Sequence, residues 1–530
     1  MTADAKAMDT SVTLDELRAA WANVKNDNSP KLRERQVFVT IPAMVEAYDK
    51  HFETWAPELA ERWAGERVPL DRLRPVEVPK PGFHIRPGGY LGLEDQLLYH
   101  VAAMKVLPLA RKRLAWSDGT VDLSYKLSNP PSTDLFDDPK KGWANFSRAS
   151  EDLATGKAKF VVVSDIAGYY ENISLKRLAD ILDECGIDVA TRRRISKLLN
   201  QWADPNERGI PQGPSPSALF AKLYLDPMDR ELQAAGVTHL RYADDIRLFC
   251  PDELSARRAL RTLHAAVRRL GLILQTAKTE IVSADAFLAD SRGISKRVED
   301  ANKKLAEDLK AHLQEDLKYA TAEEVAEVLA KHGPEIDLKA LQSVLASEFP
   351  IEGRPDFDKR VFHFVLNRLG WAGDESAVDV CVAYLTTHPE ETPFIVQHFG
   401  VLPRAQARVC GLLSTMILAD ALDYDYQLYM VCEFLRTHGC PCEGVRRAME
   451  RILGNAERLP YVRATAMACL GRLGIEDSIR RWADRISGLD PCVQFTLAAS
   501  LRLLPAQKRT ELLSRWGEVR RDLKWAGEVG

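Results

Sequence analysis

The spacing of apolar residues changes character along the chain, and each change marks a different kind of element. Up to residue 65 apolar positions recur at helical spacing, with Leu14, Leu17 and Trp21 on one face, so amphipathic helices are expected there. Prolines then punctuate VPLDRLRPVEVPKPGFHIRPGGY. Because proline disfavours the helical conformation in the residue before it, this stretch suits short extended segments and turns. LEDQLLYHVAAMKVLPLARKRLAW returns to a helical pattern with a basic end. Residues 159–164, KFVVVS, form a β-branched run that ends at Asp165 and read as a buried strand. Residues 174–199 read as helical, and residues 239–242 and 246–249 flank an Ala-Asp-Asp corner, the pattern of a hairpin with an acidic tip. Residues 254–270 read as a helix and 272–274 as a strand.

From about residue 295 strand signals largely vanish, and helices with short Gly/Pro breaks take over. Three phrases resemble one another: CEFLRTHG at 432–439, ACLGRLG at 468–474 and ASLRLL at 499–504. Their matching leucines, Leu435, Leu470 and Leu501, are 35 and 31 residues apart. That interval predicts paired helices stacked as an irregular α-solenoid of HEAT type, with an ordinary helical bundle as the alternative.

At 530 residues and 46% hydrophobic, the chain is long enough for more than one core. Its formal net charge of −4 argues against a protein that simply coats nucleic acid, but not against an enzyme that confines positive potential to one groove. Basic clusters that would suit such a groove are Arg111-Lys-Arg113, Lys140-Lys141 and Arg192-Arg-Arg194. The nine cysteines lack the density of a disulfide scaffold, and Cys440-Pro-Cys442 with His438 lacks the second ligand pair of a zinc site. The N-terminus is polar, and no stretch reaches the roughly 18 apolar residues of a membrane span, so a cytoplasmic protein with no membrane partner is expected.

The candidate chemistry lies in the middle of the chain. Asp165 ends a strand, and Tyr242-Ala243-Asp244-Asp245 puts two more carboxylates at a hairpin tip. Each alone would pass for a solvated turn. Together they offer the hard oxygen ligands that Mg²⁺ prefers, and two such ions can activate a 3′-hydroxyl and stabilise departing pyrophosphate. Between the acidic segments, Gly209-Ile-Pro-Gln-Gly-Pro-Ser-Pro-Ser217 forms a tight loop leading into a helix. After them, Gly271-Leu-Ile-Leu-Gln-Thr-Ala-Lys278-Thr279 supplies a lysine.

These four segments, in this order over residues 160–280, resemble the palm motifs of reverse transcriptases of the group II intron, retron and abortive-infection kinds. The resemblance implies an α+β right-hand polymerase: an N-terminal helical segment (1–65), fingers and a palm with a ferredoxin-like sheet (66–290), and an all-α HEAT-like repeat domain (295–530). It implies an RNA-directed DNA polymerase, with Asp165, Asp244 and Asp245 catalytic. Two Mg²⁺ ions would be held chiefly by Asp165 and Asp244, with the Ile166 carbonyl, and with Asp245 as a less direct neighbour. Tyr170 matches the aromatic gate that stacks under the sugar and favours dNTPs. Gln212 would contact the nucleotide and template, and Lys278 would stand near the triphosphate as a proton donor. Arg86 resembles the finger arginine that grips phosphates, with Lys80 nearby, although the family's apolar strand is replaced here by Pro-Gly-Gly-Tyr.

The partners implied are dNTPs, an RNA template with nascent DNA, and further copies of the chain as a homo-oligomer. A palm followed by a long helical tail resembles the defence-associated bacterial members, which implies antiphage defence, in some members with protein-primed or untemplated synthesis. Tyr384, Tyr424, Tyr426, Tyr429 and Tyr461 are the tail's candidate primers. Two other readings are a retron- or intron-like enzyme copying one specific RNA, and a catalytically silent scaffold whose solenoid binds a protein.

Overall fold

The computed structural model describes residues 12–29, 39, 41–64, 70–130, 132–137, 142–290, 338–351, 357–439, 441–517 and 520–528. Lys140, Lys141, Cys440 and the first part of the expected repeat region, 295–337, lie outside the described residues. Two compact units emerge. The first comprises Met1–Thr40, Tyr48–Val76 and Pro87–Asp290; the second comprises Ile41–Ala47, Glu77–Arg86 and Ser291–Gly530.

The N-terminal segment folds as the helices α1 (Leu14–Asp27), α2 (Pro42–Lys50) and α3 (Phe52–Ala64). The start of α1 is set by a capping box, in which the Thr13 hydroxyl accepts from Glu16 N and the Glu16 carboxylate accepts from Thr13 N. Its apolar face, Leu17, Ala20, Trp21 and Val24, is buried. The Pro-rich stretch becomes a hairpin of β1 (Arg74–Lys80) and β2 (His84–Tyr90). The long helix α4 (Leu93–Leu114) buries residues all round its axis, as a helix in the middle of a core must, with α1 against it.

The central sheet contains β3 (Phe160–Ser164), β4 (Thr238–Tyr242), β5 (Asp245–Cys250) and β6 (Glu280–Ser283), in the order β4-β5-β3-β6 and antiparallel throughout. Between β3 and β4 run a single helical turn α6 (Tyr169–Asn172) and the helices α7 (Leu175–Glu184), α8 (Val189–Trp202) and α9 (Ser215–Ala234). Helix α10 (Glu253–Arg269) links β5 to β6. This is the β-α-β-β-α-β connection of a ferredoxin-like sheet. One face packs on α5 (Gly142–Thr155) through Phe146, Val161, Leu240 and Phe249; α10 packs on β3, β5 and β6.

Two sequence expectations need correction. The helical stretch 174–199 is two helices, because Gly186 turns left-handed (φ 80°) and Asp188 caps the second by accepting from Thr191 N. Residues 272–274 make only a single bridge, Ile166 with Leu274, and the fourth strand lies further on at β6. The apolar run 272–274 is spent on anchoring the segment after Asp165.

The second unit carries α11 (Lys359–Trp371), α12 (Val378–Thr387), α13 (Thr392–Gly400), α14 (Gln406–Leu418), α15 (Asp425–His438), α16 (Glu443–Gly454), α17 (Pro460–Arg472), α18 (Glu476–Ala483), α19 (Pro491–Ser500), α20 (Ala506–Gly517) and α21 (Arg521–Gly527). Alternate helices stack: α11, α13, α15, α17, α19 and α21 form one row, and α12, α14 and α16 a second. The first two similar phrases fall on α15 and α17, neighbours in one row, and the third spans the end of α19 and the 3-10 turn after it; Leu435, Leu470 and Leu501 are fully buried. At the α17–α19 contact Gly471 is indispensable to the approach: a Cβ there would run into the Ser500 hydroxyl and stand 2.8 Å from Ser500 Cβ. After Ser283 no strand occurs among the described residues.

Candidate active site

Asp165 follows directly on β3, and the sheet register decides what faces it. Ser164 pairs with Ile246, so one step further Asp165 stands across from Asp245. Tyr242 pairs with Asp245, leaving Ala243 and Asp244 as a two-residue hairpin turn. Ala243 has φ 53° whereas Asp244 has no positive φ, the signature of a type II′ turn. Glycine normally fills that first position, and an alanine there costs about 1–2 kcal/mol.

The backbone of Asp165 is held by Gln275 N, which donates to its carbonyl at 2.7 Å, and Ala167 N donates to Ile273 O at 2.8 Å. These bonds bring the following turn, Thr276–Lys278, alongside. There the Lys278 ammonium meets Asp165 Oδ2 at 2.7 Å, and the Ser164 and Thr279 hydroxyls bond at 2.8 Å. Asp165 is nearly buried and Lys278 is largely exposed. Burial, together with the neighbouring Asp165, pushes the Asp245 carboxyl above the usual carboxylate range, and Lys278 and Arg247 pull in the opposite direction. Asp244 acts instead on Tyr125, Tyr169 and Tyr170. Burial, and then Tyr125 and Asp244, raise the Tyr170 hydroxyl well above its ordinary value, so it stays protonated.

Tyr170 and the Pro-Gln-Gly loop are joined through the backbone. Ile210 N donates to Tyr170 O at 3.0 Å and Gly209 N to Ile173 O at 2.9 Å. Gly209 (φ 93°) must be glycine, since a Cβ would sit 3.4 Å from the Glu171 carbonyl in a conformation that L-residues rarely adopt. Gln212 follows in this loop, half-exposed, just ahead of α9. Asp165, Tyr170, Gln212, Asp244, Asp245 and Lys278 thus belong to one unit. Arg86 lies on β2 and Lys80 ends β1, in the stretch that groups with the second unit.

The donors at the acidic corner suit a hard divalent ion, being carboxylates and the Ile166 carbonyl. Ile166 is buried, and no hydrogen bond to its carbonyl occurs among the described residues. In the same residues no three His, Cys, Asp or Glu side chains converge tightly enough to make a metal cage by themselves. Water, substrate phosphates or backbone oxygens would have to complete any coordination shell, as is usual for Mg²⁺.

Residues 112–319 match the family described as reverse transcriptase (RNA-dependent DNA polymerase). The chain carries a reverse transcriptase domain. All six of the site residues that share the first unit fall within the matched span. Among the solved structures it matches is telomerase from Candida albicans in complex with a fragment of telomeric RNA, at 13% identity and a TM-score of 0.31, over 69% of this chain and 66% of that one. The chain therefore spans just under two thirds of that relative. No curated protein matches.

The first unit also contains polar groups that the sequence reading did not single out. Arg241, 1% exposed, pairs with Asp122 at 2.7 Å and Asp229 at 2.8 Å. Lys222 pairs with Asp122 at 2.7 Å and Asp118 at 3.0 Å. Asp122 sits on a loop that closes the open edge of β4, where Arg241 N donates to Val121 O and Leu123 N to Arg241 O. Burial would raise the Asp122 carboxyl, but Arg241 and Lys222 outweigh it and hold it at about 2. On α1, buried Asp27 accepts from Ser215 N and the Ser215 hydroxyl at the start of α9, and faces His100 Nε2 at 3.0 Å. Only the position of Arg241, directly before the acidic tetrapeptide, could have drawn attention in the sequence.

Four members of the basic clusters are engaged within the fold. Arg111 donates to Ser128 O, Arg113 pairs with Asp226 and Glu184, and Arg192 pairs with Asp183. Arg194 lies over the Trp63 ring. Cys442 is the N-cap residue of α16, and His438 Nδ1 faces Gln406.

Proposed function

We propose that this chain is an RNA-directed DNA polymerase that adds deoxynucleotides to a primer 3′-hydroxyl. The observation that carries the reading is the register that sets Asp165 across from the acidic hairpin, with Lys278 against it and the Tyr170/Gln212 loop in the same unit, all inside the reverse transcriptase match. Two Mg²⁺ ions are the natural occupants, held by Asp165, the Ile166 carbonyl, Asp244 and Asp245; when bound they supply Lewis-acid activation of the hydroxyl and neutralise the pyrophosphate. Lys278 neutralises Asp165 and offers its exposed ammonium to the triphosphate. Tyr170 stacks under the sugar and excludes a 2′-hydroxyl, and Gln212 lies against the nucleotide and template.

The two rows of stacked helices support reading the tail as HEAT-like repeats. With such a tail the enzyme resembles defence-associated reverse transcriptases, and we read its role as antiphage defence. If synthesis is primed by the chain itself, Tyr424 is the candidate tyrosine, because Tyr384, Tyr426, Tyr429 and Tyr461 are all buried. The test is to incubate the purified chain with Mg²⁺ and dNTPs, with and without RNA, beside Asp165→Asn and Asp244→Asn. Incorporation that falls at least about a thousandfold in both variants is expected. Undiminished incorporation in either would refute the assignment, and phage resistance unchanged by Asp244→Asn would refute the link to defence.

A further inference from the structure

Two carboxylates at a hairpin tip are useful only if the turn presents them in one geometry, and a two-residue turn has a ready way to lose it. Type I′ and type II′ turns differ by a flip of the central peptide. Here that peptide joins Ala243 to Asp244, and its orientation sets where the Asp244 side chain points. In the observed turn only Ala243 has positive φ; after a flip Asp244 would need it too.

The carbonyl of that central peptide has a partner. Arg241 Nη1 donates to Ala243 O at 3.1 Å. The rest of the guanidinium is immobilised: Nη2 donates to Asp122 at 2.7 Å and Asp229 at 2.8 Å, and Nε to Asp229 at 3.1 Å. Asp229 comes from α9 and Asp122 from the edge loop, so two separate elements hold the group. Arginine alone can do this, because its planar fork presents several fixed donors whereas a lysine is a single rotating point charge.

We propose that Arg241 is a positioning residue for the acidic turn: clamped between Asp122 and Asp229, it locks the Ala243–Asp244 peptide in one of its two orientations and so aims the Asp244 carboxylate. The proposal rests on Asp244 being a metal-binding residue of the polymerase, and it assigns the buried Asp122–Arg241–Asp229 cluster a task beyond stability. Arg241 touches neither nucleotide nor metal in this scheme.

The test uses the full chain. Arg241→Lys retains one buried charge but cannot reach both carboxylates and the carbonyl. Ala243→Gly leaves the cluster intact and relieves the cost of positive φ at the first turn position, so the observed turn depends less on the clamp. Mn²⁺ binding is read by calorimetry and by electron paramagnetic resonance, and dNTP incorporation is read separately. Arg241→Lys should weaken Mn²⁺ binding about tenfold or more and lower kcat at least as much, with KM for dNTP within about twofold. Ala243→Gly should raise Tm by a few degrees and, added to Arg241→Lys, should recover at least a few-fold of the lost Mn²⁺ affinity. In an Asp244→Asn background Arg241→Lys should not weaken Mn²⁺ binding further, since the residue through which it acts is gone.

A folded Arg241→Lys protein with unaltered Mn²⁺ affinity and kcat would overturn the proposal. If that variant does not fold, Asp122→Asn, which loosens one side of the clamp, with unaltered Mn²⁺ affinity and kcat overturns it instead. Failure of the polymerase reading looks different: Asp244→Asn alone would then leave Mn²⁺ binding and incorporation untouched.

Discussion

Asp95 stands in the first turn of α4, 3% exposed, and accepts a hydrogen bond from Asp71 N at 3.0 Å. An acid at a helix N-terminus normally gains from the backbone dipole. Here burial dominates, the Asp71 and Glu94 carboxylates add to it, and the carboxyl is pushed up to about 8 against an ordinary 3.8. At neutral pH the folded chain keeps a proton that the unfolded chain has released. Stability is therefore fully present below about pH 4 and is lost as pH rises towards 8, by about 5 kcal/mol for a shift of this size. Asp95→Asn keeps an acceptor for Asp71 N and removes the charge, so the variant escapes the loss. Urea unfolding of the first unit, followed by tryptophan fluorescence on both proteins between pH 5 and 8, should show the variant gaining on the wild type by about 3–4 kcal/mol across that range. Other titrating groups shift both proteins alike, so only the difference is read. A difference that stays flat within about 1 kcal/mol would refute the argument that burial keeps Asp95 protonated.

Three further outcomes follow from named contacts. Tyr170→Ala should relax discrimination against ribonucleotides by about tenfold or more while leaving dNTP incorporation measurable, which competition between matched dNTP and rNTP checks. Asp122→Asn should destabilise the first unit at pH 7 by about 3–5 kcal/mol, because Arg241 and Lys222 lose a buried counter-charge. Since that carboxyl is held at about 2, its contribution is lost only as pH falls below about 4, and the gap between variant and wild type should narrow by about 2 kcal/mol in acid urea titrations. Gly471→Ala gains about 1 kcal/mol of helix propensity but forces α17 and α19 apart, so calorimetry should show a net loss of about 1–2 kcal/mol in the second unit.

Much of this fold could be read from the chain, where the information is local. The run FVVVS before Asp165 and the alternation on either side of Ala243 specify strands because side chains repeat every two residues. The helical spacing of apolar residues in the C-terminal part marked packed helices because each must bury one face against a neighbour. Reading 272–274 as a strand failed for a related reason: a short apolar run states only that it is buried, not what pairs with it. It secures the backbone beyond Asp165, and the strand itself is the less apolar β6.

At the site, the identities of Asp165, Tyr170, Gln212, Asp244, Asp245 and Lys278 came from the sequence, through motif order. Their arrangement did not. That Asp245 stands across from Asp165 follows from a strand register set by packing on both sheet faces, and a slip of one residue would reverse it. The pairing of Lys278 with Asp165 spans 113 residues, and the clamp on Arg241 draws partners from two further elements. Short-range patterns specify which elements form and which residue types they carry. Which charges meet across them is decided only when burial removes the water that would otherwise have satisfied each one separately.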